Sequence, residues 1–344
     1  MNPSKILVVR LGSLGDIVLT APVTQALRQK WTDADIVFAT KQVYEPLALQ
    51  LPGVNRVLAF DPSSGLWPLI REVRAERFDR LFDLHANARS RLLALFSAAG
   101  ESFRYGKRRL ARMAMVYGAK TRLPVRSTVD LYLSVLERCD IAVASRVPIL
   151  DISFAARDEA IARLREYGIG PSDRVLALAP GASSAPKRWP ARYFAQLADH
   201  FALRRGMRIL MAGSHEDRSV AREVALQAVS PIIDCTGAFE LSLFPAVVAR
   251  CEALVGNDSG PMHIAAAVGT PVAALFGPTH PCLGFAPASA RSTAISLNLP
   301  CSPCSLHGDR PCRLHTHACM ETLGVESVIQ KLENLLALTL DDKV

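Results

Sequence analysis

Two rounds of one alternation constrain this chain more than any other feature of its sequence. Short runs rich in Val, Ile and Leu are each followed by a stretch with helical spacing. In the first round KILVVRL (5–11) precedes DIVLTAPVTQALRQKW (16–31), and ADIVFAT (34–40) precedes a short helix near 44–51. VNRVLAF (54–60) then precedes LWPLIREVRAERF (66–78), DRLFDLH (79–85) precedes NARSRLLALFSAAG (87–100), and a helix over 129–141 closes the round. Continuous apolar runs are strands buried on both faces. Alternating with helices, they predict a parallel, doubly wound α/β sheet.

The alternation then restarts. A linker helix is expected over 155–168, followed by strand RVLALAPGA (174–182), helix 191–206, strand MRILMAG (207–213) and helix 215–229. Strand 231–236, helix 242–253, a strand and turn over 253–260 and strand 270–278 continue the pattern, and the amphipathic segment 325–338 ends it. At 344 residues the chain exceeds one average domain, so two are expected. Two such sheets in one chain predict an interdomain cleft at the C-terminal ends of their strands, where open α/β sheets bind ligands.

The net charge of +8 implies an anionic partner, whether nucleic acid, phosphorylated glycan or acidic membrane face. Arg104, Lys107, Arg108, Arg109, Arg112, Lys120, Arg122 and Arg126 follow one another with no acid among them. Such a run is either a solvated basic face or an anion-docking surface. No run approaches the roughly 18 apolar residues of a membrane span. The N-terminus shows no basic start, apolar stretch and small-residue cleavage site, so the cytosol is the expected compartment. There the eight cysteines are expected as reduced thiols.

Four strand-end loops carry the candidate chemistry. In R-L-G-S-L-G-D (10–16) the spacing fails the G-x-G-x-x-G dinucleotide fingerprint, which disfavours an NAD-dependent oxidoreductase. Asp16 is either a first-turn acid complementing the helix dipole or a carboxylate placed to take a proton from a hydroxyl. In V-G-N-D-S-G-P-M-H (255–263), Pro261 suits the first helical position and makes Ser259 and Gly260 the capping turn. The turn is then an anion site flanked by Asp258 and His263, or a well-capped helix with His263 simply buried. A-P-G-A-S-S-A-P-K-R-W-P (179–190) holds two hydroxyls and Lys187, a phosphate grip or a basic surface loop. In A-G-S-H-E-D (212–217), Glu216 is placed to accept from ribose hydroxyls, though a first-turn acid is equally expected there.

Taken together, R-L-G-S-L-G-D, P-G-A-S-S-A-P-K-R-W-P and N-D-S-G-P-M-H-I-A-A-A-V-G-T-P-V-A-A-L-F-G-P resemble glycosyltransferase family nine, the ADP-heptose:lipopolysaccharide heptosyltransferases. The resemblance spans nearly the whole chain in the right order. It implies a GT-B fold: a Rossmann-like acceptor domain over 1–160 facing a Rossmann-like sugar-nucleotide domain over 161–344, with the last helix (about 325–340) packing back toward the first domain. Asp16 matches the catalytic base of an inverting transfer, with Gly15 beside it making room for a sugar. Lys187 matches the lysine on the donor phosphates, with Ser183 nearby, and Asp258, Ser259 and Gly260 match the turn contacting diphosphate and heptose, beside His263. Glu216 matches the ribose-binding acid loosely. The implied substrates are ADP-heptose and a lipid A–Kdo inner-core acceptor. Arg104, Lys107, Arg108 and Arg109 would dock that acceptor by charge. The enzyme would be a monomer in peripheral contact with the cytoplasmic face of the inner membrane, binding no nucleic acid. No cofactor would be required for catalysis.

The segment C-S-P-C-S-L-H-G-D-R-P-C-R-L-H-T-H-A-C places Cys301, Cys304, Cys312 and Cys319 close in sequence. This is the ligand count of a tetrahedral zinc or iron site, but without a second C-x-x-C, so a structural metal and free loop thiols both stay open. Other readings keep the fold with another sugar nucleotide or a protein acceptor, or take the chain as a basic nucleic-acid binder with a metal-bound tail. The last leaves the phosphate-type loops unexplained.

Overall fold

The computed structural model describes residues 3–118 and 126–341. Contacts divide the chain into two units, Met1–Arg108 with Arg126–Asp151, and Arg109–Val125 with Ile152–Val344.

In the first unit, β1 (Lys5–Val9) leads through α1 (Leu14–Val18) and α2 (Ala21–Lys30) to β2 (Asp35–Lys41). The helix expected over 16–31 is broken because Pro22 falls there. Proline cannot donate an interior helical hydrogen bond but fits the first turn of a new helix, α2. α3 (Glu45–Ala48), β3 (Arg56–Phe60), α4 (Trp67–Glu76), β4 (Arg80–Asp83), α5 (Ala88–Phe96) and β5 (Glu101–Arg104) follow. α6 (Arg109–Val116) belongs by contacts to the second unit, and α7 (Thr128–Leu133) returns to the first. The five-stranded parallel sheet has the order β3-β2-β1-β4-β5. Leu7, Val9, Val37, Leu58, Ile70 and Leu81 form a core on it, each buried side chain contributing about 1.5–3 kcal/mol.

The second unit begins with α8 (Phe154–Glu166), and the boundary at Asp151 lies nine residues before the expected one. Ser153 caps α8, and the helix packs on α11 (Phe244–Ala249) of its own unit, burying Ala160 and Leu164. It is therefore part of the second unit and not a linker. β6 (Val175–Ala179), α9 (Ala191–Arg205), β7 (Arg208–Met211), α10 (Arg218–Gln227), β8 (Ile232–Asp234), α11 (Phe244–Ala249) and β9 (Ala253–Asn257) come next. α12 (Gly260–Ala267), β10 (Val272–Leu275), β11 (Ser292–Ile295), α13 (Ala318–Glu321) and α14 (Val325–Asp341) complete it. The six strands are parallel, in the order β11-β10-β9-β6-β7-β8. The last helix was expected to pack toward the first domain. Its apolar side, with Val328, Leu332, Leu335 and Leu336, is buried in the second unit's own core against α9, β10 and β11.

Both sheets start centrally, add strands on one side, then cross over and add them on the other. The crossover leaves a crevice between the C-terminal ends of β1 and β4 in the first sheet, and of β6 and β9 in the second. Such a topological switch point is where open α/β sheets take ligands.

Candidate active site

At the first switch point Val9 lies in register with Asp83. After β1 the chain turns at Gly12, whose φ of +143° is open to glycine; a Cβ there would stand 3.1 Å from the Tyr44 ring. Gly15, expected to make room in a loop, is instead buried inside α1. Asp16 sits in the first turn of α1, where its Oδ2 accepts from Ser13 Oγ at 2.9 Å. The structural reading of Asp16 therefore holds, but it covers only part of what the carboxylate does. Arg10 reaches Asp16 Oδ2 at 2.5 Å, and Tyr132 donates to Oδ1 at 3.1 Å. Burial pushes the Asp16 carboxyl up, yet Arg10 and the hydrogen bonds from Ser13 and Tyr132 outweigh it and hold the group below the usual carboxylate range. Burial likewise pushes the Tyr132 phenol well above its ordinary value, so it stays a donor.

Arg10 also donates to Leu84 O at 2.8 Å, which ties the β1 loop to the β4 loop. Beyond Leu84, Asp83 Oδ1 accepts from the backbone of His85 at 3.0 Å and of Ala86 at 2.8 Å. Burial, with Arg10 and Lys107 adding repulsion, lowers the His85 imidazole to about 4, so the ring is neutral at pH 7.

At the second switch point Ala179 lies in register with Gly256. Asn257 stitches the two loops: its Nδ2 donates to Pro180 O at 2.7 Å and its Oδ1 accepts from Trp189 N at 3.0 Å. Lys187 Nζ stands 3.1 Å from Asp258 Oδ2, both side chains nearly buried, and Thr279 donates to the same oxygen at 2.7 Å. Ser259 is the N-cap residue of α12, Gly260 its first residue, and His263 is buried one turn in. Ser183 and Glu216 are exposed on the loops that follow β6 and β7. Asp217, not Glu216, closes the latter loop, accepting from Ser214 N and Oγ at 2.9 Å. Lys187, Asp258, Ser259 and Gly260 thus share one crevice. Ser183 joins them from the β6 side, and Glu216 stands at the end of the next strand.

The basic run does not act as a block. Arg104 pairs with buried Asp83 at 2.9 Å, so its charge is compensated by a residue outside the run. Lys107 and Arg108 lie in the first unit, whereas Arg109 opens α6 in the second. Arg112 is buried, with its guanidinium 4.5 Å over the Phe285 ring, and so is not part of a solvated basic face. Lys120 and Arg122 lie outside the described residues.

Cys301, Cys304, Cys312 and Cys319 all line one cavity of about 310 Å³. Among the described residues, however, no three His, Cys, Asp or Glu side chains stand close enough together to hold a metal ion. Their anchors differ: Cys304 N donates to Pro278 O at 3.0 Å, Cys319 lies in α13, and Cys301 is exposed. The four-thiol metal set, one of the two readings the spacing left open, is not assembled among the described residues. The same segment instead covers the lysine. Ser184 Oγ donates to Gly308 O at 2.6 Å, and Gly308 packs so tightly on Lys187 that a Cβ would fall 2.3 Å from its Cγ.

The sequence had singled out Asp16, Lys187 and Asp258. It missed Arg10, which lay within the quoted first motif, and Tyr132, His85 and Thr279, which no motif marked.

Comparisons with known proteins identify the family and the fold. The profile of glycosyltransferase family 9 (heptosyltransferase) matches residues 66–314. Lipooligosaccharide heptosyltransferase 2 of Haemophilus influenzae is 26% identical over 309 residues, covering 85% of this chain and 88% of that protein. A family 9 glycosyl transferase from Veillonella parvula superposes with a TM-score of 0.81 at 25% identity, over 97% of each chain. The ADP-heptose LPS heptosyltransferase II of Escherichia coli shares the fold, with a TM-score of 0.77 at 22% identity over 99% of this chain and 100% of that one. With the profile spanning well over half its length, the chain belongs to glycosyltransferase family 9 and is a glycosyltransferase built on two Rossmann-like α/β units.

Proposed function

We propose that this enzyme moves L-glycero-D-manno-heptose from ADP-heptose to the inner core of lipopolysaccharide with inversion at the anomeric carbon. One observation carries the reading. In a chain of this family, the crevice of one unit holds an ionised carboxylate and the crevice of the other a nearly buried lysine beside a helix start.

The Asp16 carboxylate takes the proton of an acceptor hydroxyl. The freed oxygen pair forms the bond to the heptose anomeric carbon as the bond from that carbon to the diphosphate oxygen breaks. A single displacement inverts the centre. The charge left on ADP is met by Lys187, drawn from Asp258, and by the backbone N–H groups at the start of α12. Ser183 supplies a hydroxyl to the diphosphate, and Glu216 accepts from the ribose. Lys107, Arg108 and Arg109 dock the phosphates and carboxylates of a lipid A–Kdo acceptor. Because that acceptor is membrane-anchored, the reading puts the enzyme in the cytoplasm, in peripheral contact with the inner membrane.

The test is ADP release from ADP-L-glycero-β-D-manno-heptose with a panel of truncated lipopolysaccharide acceptors. Turnover with one of them is the expected result. Turnover with none, or only with another sugar nucleotide or a protein acceptor, overturns the reading.

A further inference from the structure

The mechanism above leaves one group at the first switch point unused. His85 follows β4, opposite the β1 loop that leads to Asp16. Its backbone is fixed from both sides: Leu84 N donates to Val9 O at 3.0 Å, and Asp83 accepts from His85 and Ala86. Arg10, which pairs with Asp16, holds the carbonyl just before His85. The backbone that carries the imidazole is thus fixed, yet the ring hydrogen-bonds to no described residue. Its Nδ1 is buried without a hydrogen-bond partner, and so is Arg10 Nε. Each such atom costs about 1–3 kcal/mol, and two together at a ligand crevice call for an explanation in function. Asp16, Arg10, Lys107 and Asp83 are the charges that the ring feels.

We propose that His85 contacts substrate: its imidazole hydrogen-bonds an oxygen of the anionic sugar acceptor beside the hydroxyl that Asp16 deprotonates, while Arg10 and Lys107 meet that acceptor's charge. The inference rests on the acceptor reading given above. A neutral ring that feels two cations offers a hydrogen bond to sugar oxygens without adding to the local positive charge. With its low basicity, His85 positions the acceptor and leaves the proton to Asp16.

The experiment uses the intact chain and its His85→Ala and His85→Gln variants. Binding of a deacylated Kdo-containing oligosaccharide is measured by calorimetry, beside donor and acceptor KM. His85→Ala is expected to weaken the oligosaccharide and raise acceptor KM by about tenfold, with donor KM unchanged and most of the loss recovered in His85→Gln. If His85→Ala folds poorly, His85→Leu against His85→Gln gives the same contrast at similar volume. Unchanged acceptor affinity, or equal loss for donor and acceptor, overturns the proposal. A wild-type chain that binds the oligosaccharide but releases no ADP overturns the heptose reading alone, since the binding comparison still decides the role of His85. A wild-type chain that binds no anionic sugar overturns both.

Discussion

Lys187 Nζ stands 3.1 Å from Asp258 Oδ2, and the pair bridges the loops that follow the two central strands of the second sheet. At the first unit's switch point Arg10 and Asp16, both from the segment after β1, pair at 2.5 Å. At each crevice a nearly buried cation is already bound to a carboxylate. An anionic ligand must therefore draw the cation from an internal partner, and a ligand without charge gains nothing from it.

Lys187→Met should lower kcat/KM for the donor by about 10²–10³, because the developing diphosphate charge loses a fixed cation. It should also lower stability by about 3 kcal/mol, since Asp258 is left buried with Thr279 as its partner. Adding Asp258→Asn should restore most of the stability and none of the rate. Thermal melts beside donor kinetics separate the two effects.

Gly308→Ala should act on the donor without touching it. Gly308 has a φ of +72°, and its added methyl would fall 2.3 Å from Lys187 Cγ. Overpacking of this kind costs about 1–3 kcal/mol. Displacement of the lysine should raise donor KM about tenfold while acceptor KM holds. Wild-type donor KM in a folded Gly308→Ala protein would show that Lys187 does not depend on this cover.

Arg10→Met should move the acid limb of the kcat/KM profile upward. Burial of Asp16 raises its pKa and Arg10 lowers it, with the net shift downward. Once Arg10 is removed, burial dominates and the carboxylate takes up a proton at higher pH. In the wild type the depressed carboxyl stabilises the fold above its unfolded pKa, and this contribution is lost as pH falls through the folded value. The variant should lose its rate at a pH where the wild type is still fully active. Asp16→Asn should lose about 10²–10⁴ in rate at every pH.

His85 should make the fold acid-sensitive. Its imidazole lies at about 4 in the folded chain against 6.5 ordinarily, chiefly through burial. Between those values the unfolded chain binds a proton that the folded chain refuses, so stability falls as pH drops from 6.5 toward 4. Denaturant melts of His85→Gln should show a shallower fall over that window.

The alternation of apolar runs with helical spacing was enough to read two parallel α/β sheets, because centrally placed parallel strands are apolar on both faces. It was silent on β5 and β11. Both are sheet edges, and ESFR is largely exposed, so neither follows the pattern of a covered strand. Asp16 and Lys187 were legible because each lies in a strand-end motif whose composition is local. Tyr132 comes to Asp16 from 116 positions away and Thr279 to Asp258 from 21, and no spacing rule connects them. Arg104 looked like free charge until Asp83, 21 positions earlier, came within 2.9 Å of it.

By itself the sequence determined the strand and helix order, hence the loops in which functional groups must lie, because hydrophobic period and turn chemistry are properties of neighbouring residues. The tertiary structure alone decided which charges remain available. Strand order brings Arg104 to Asp83 and Lys187 to Asp258, and Tyr132 reaches Asp16 from a distant helix, whereas Arg10 meets Asp16 within one segment. Whether a carboxylate is a base or a cation can grip a phosphate follows from the partners and the burial that this order imposes.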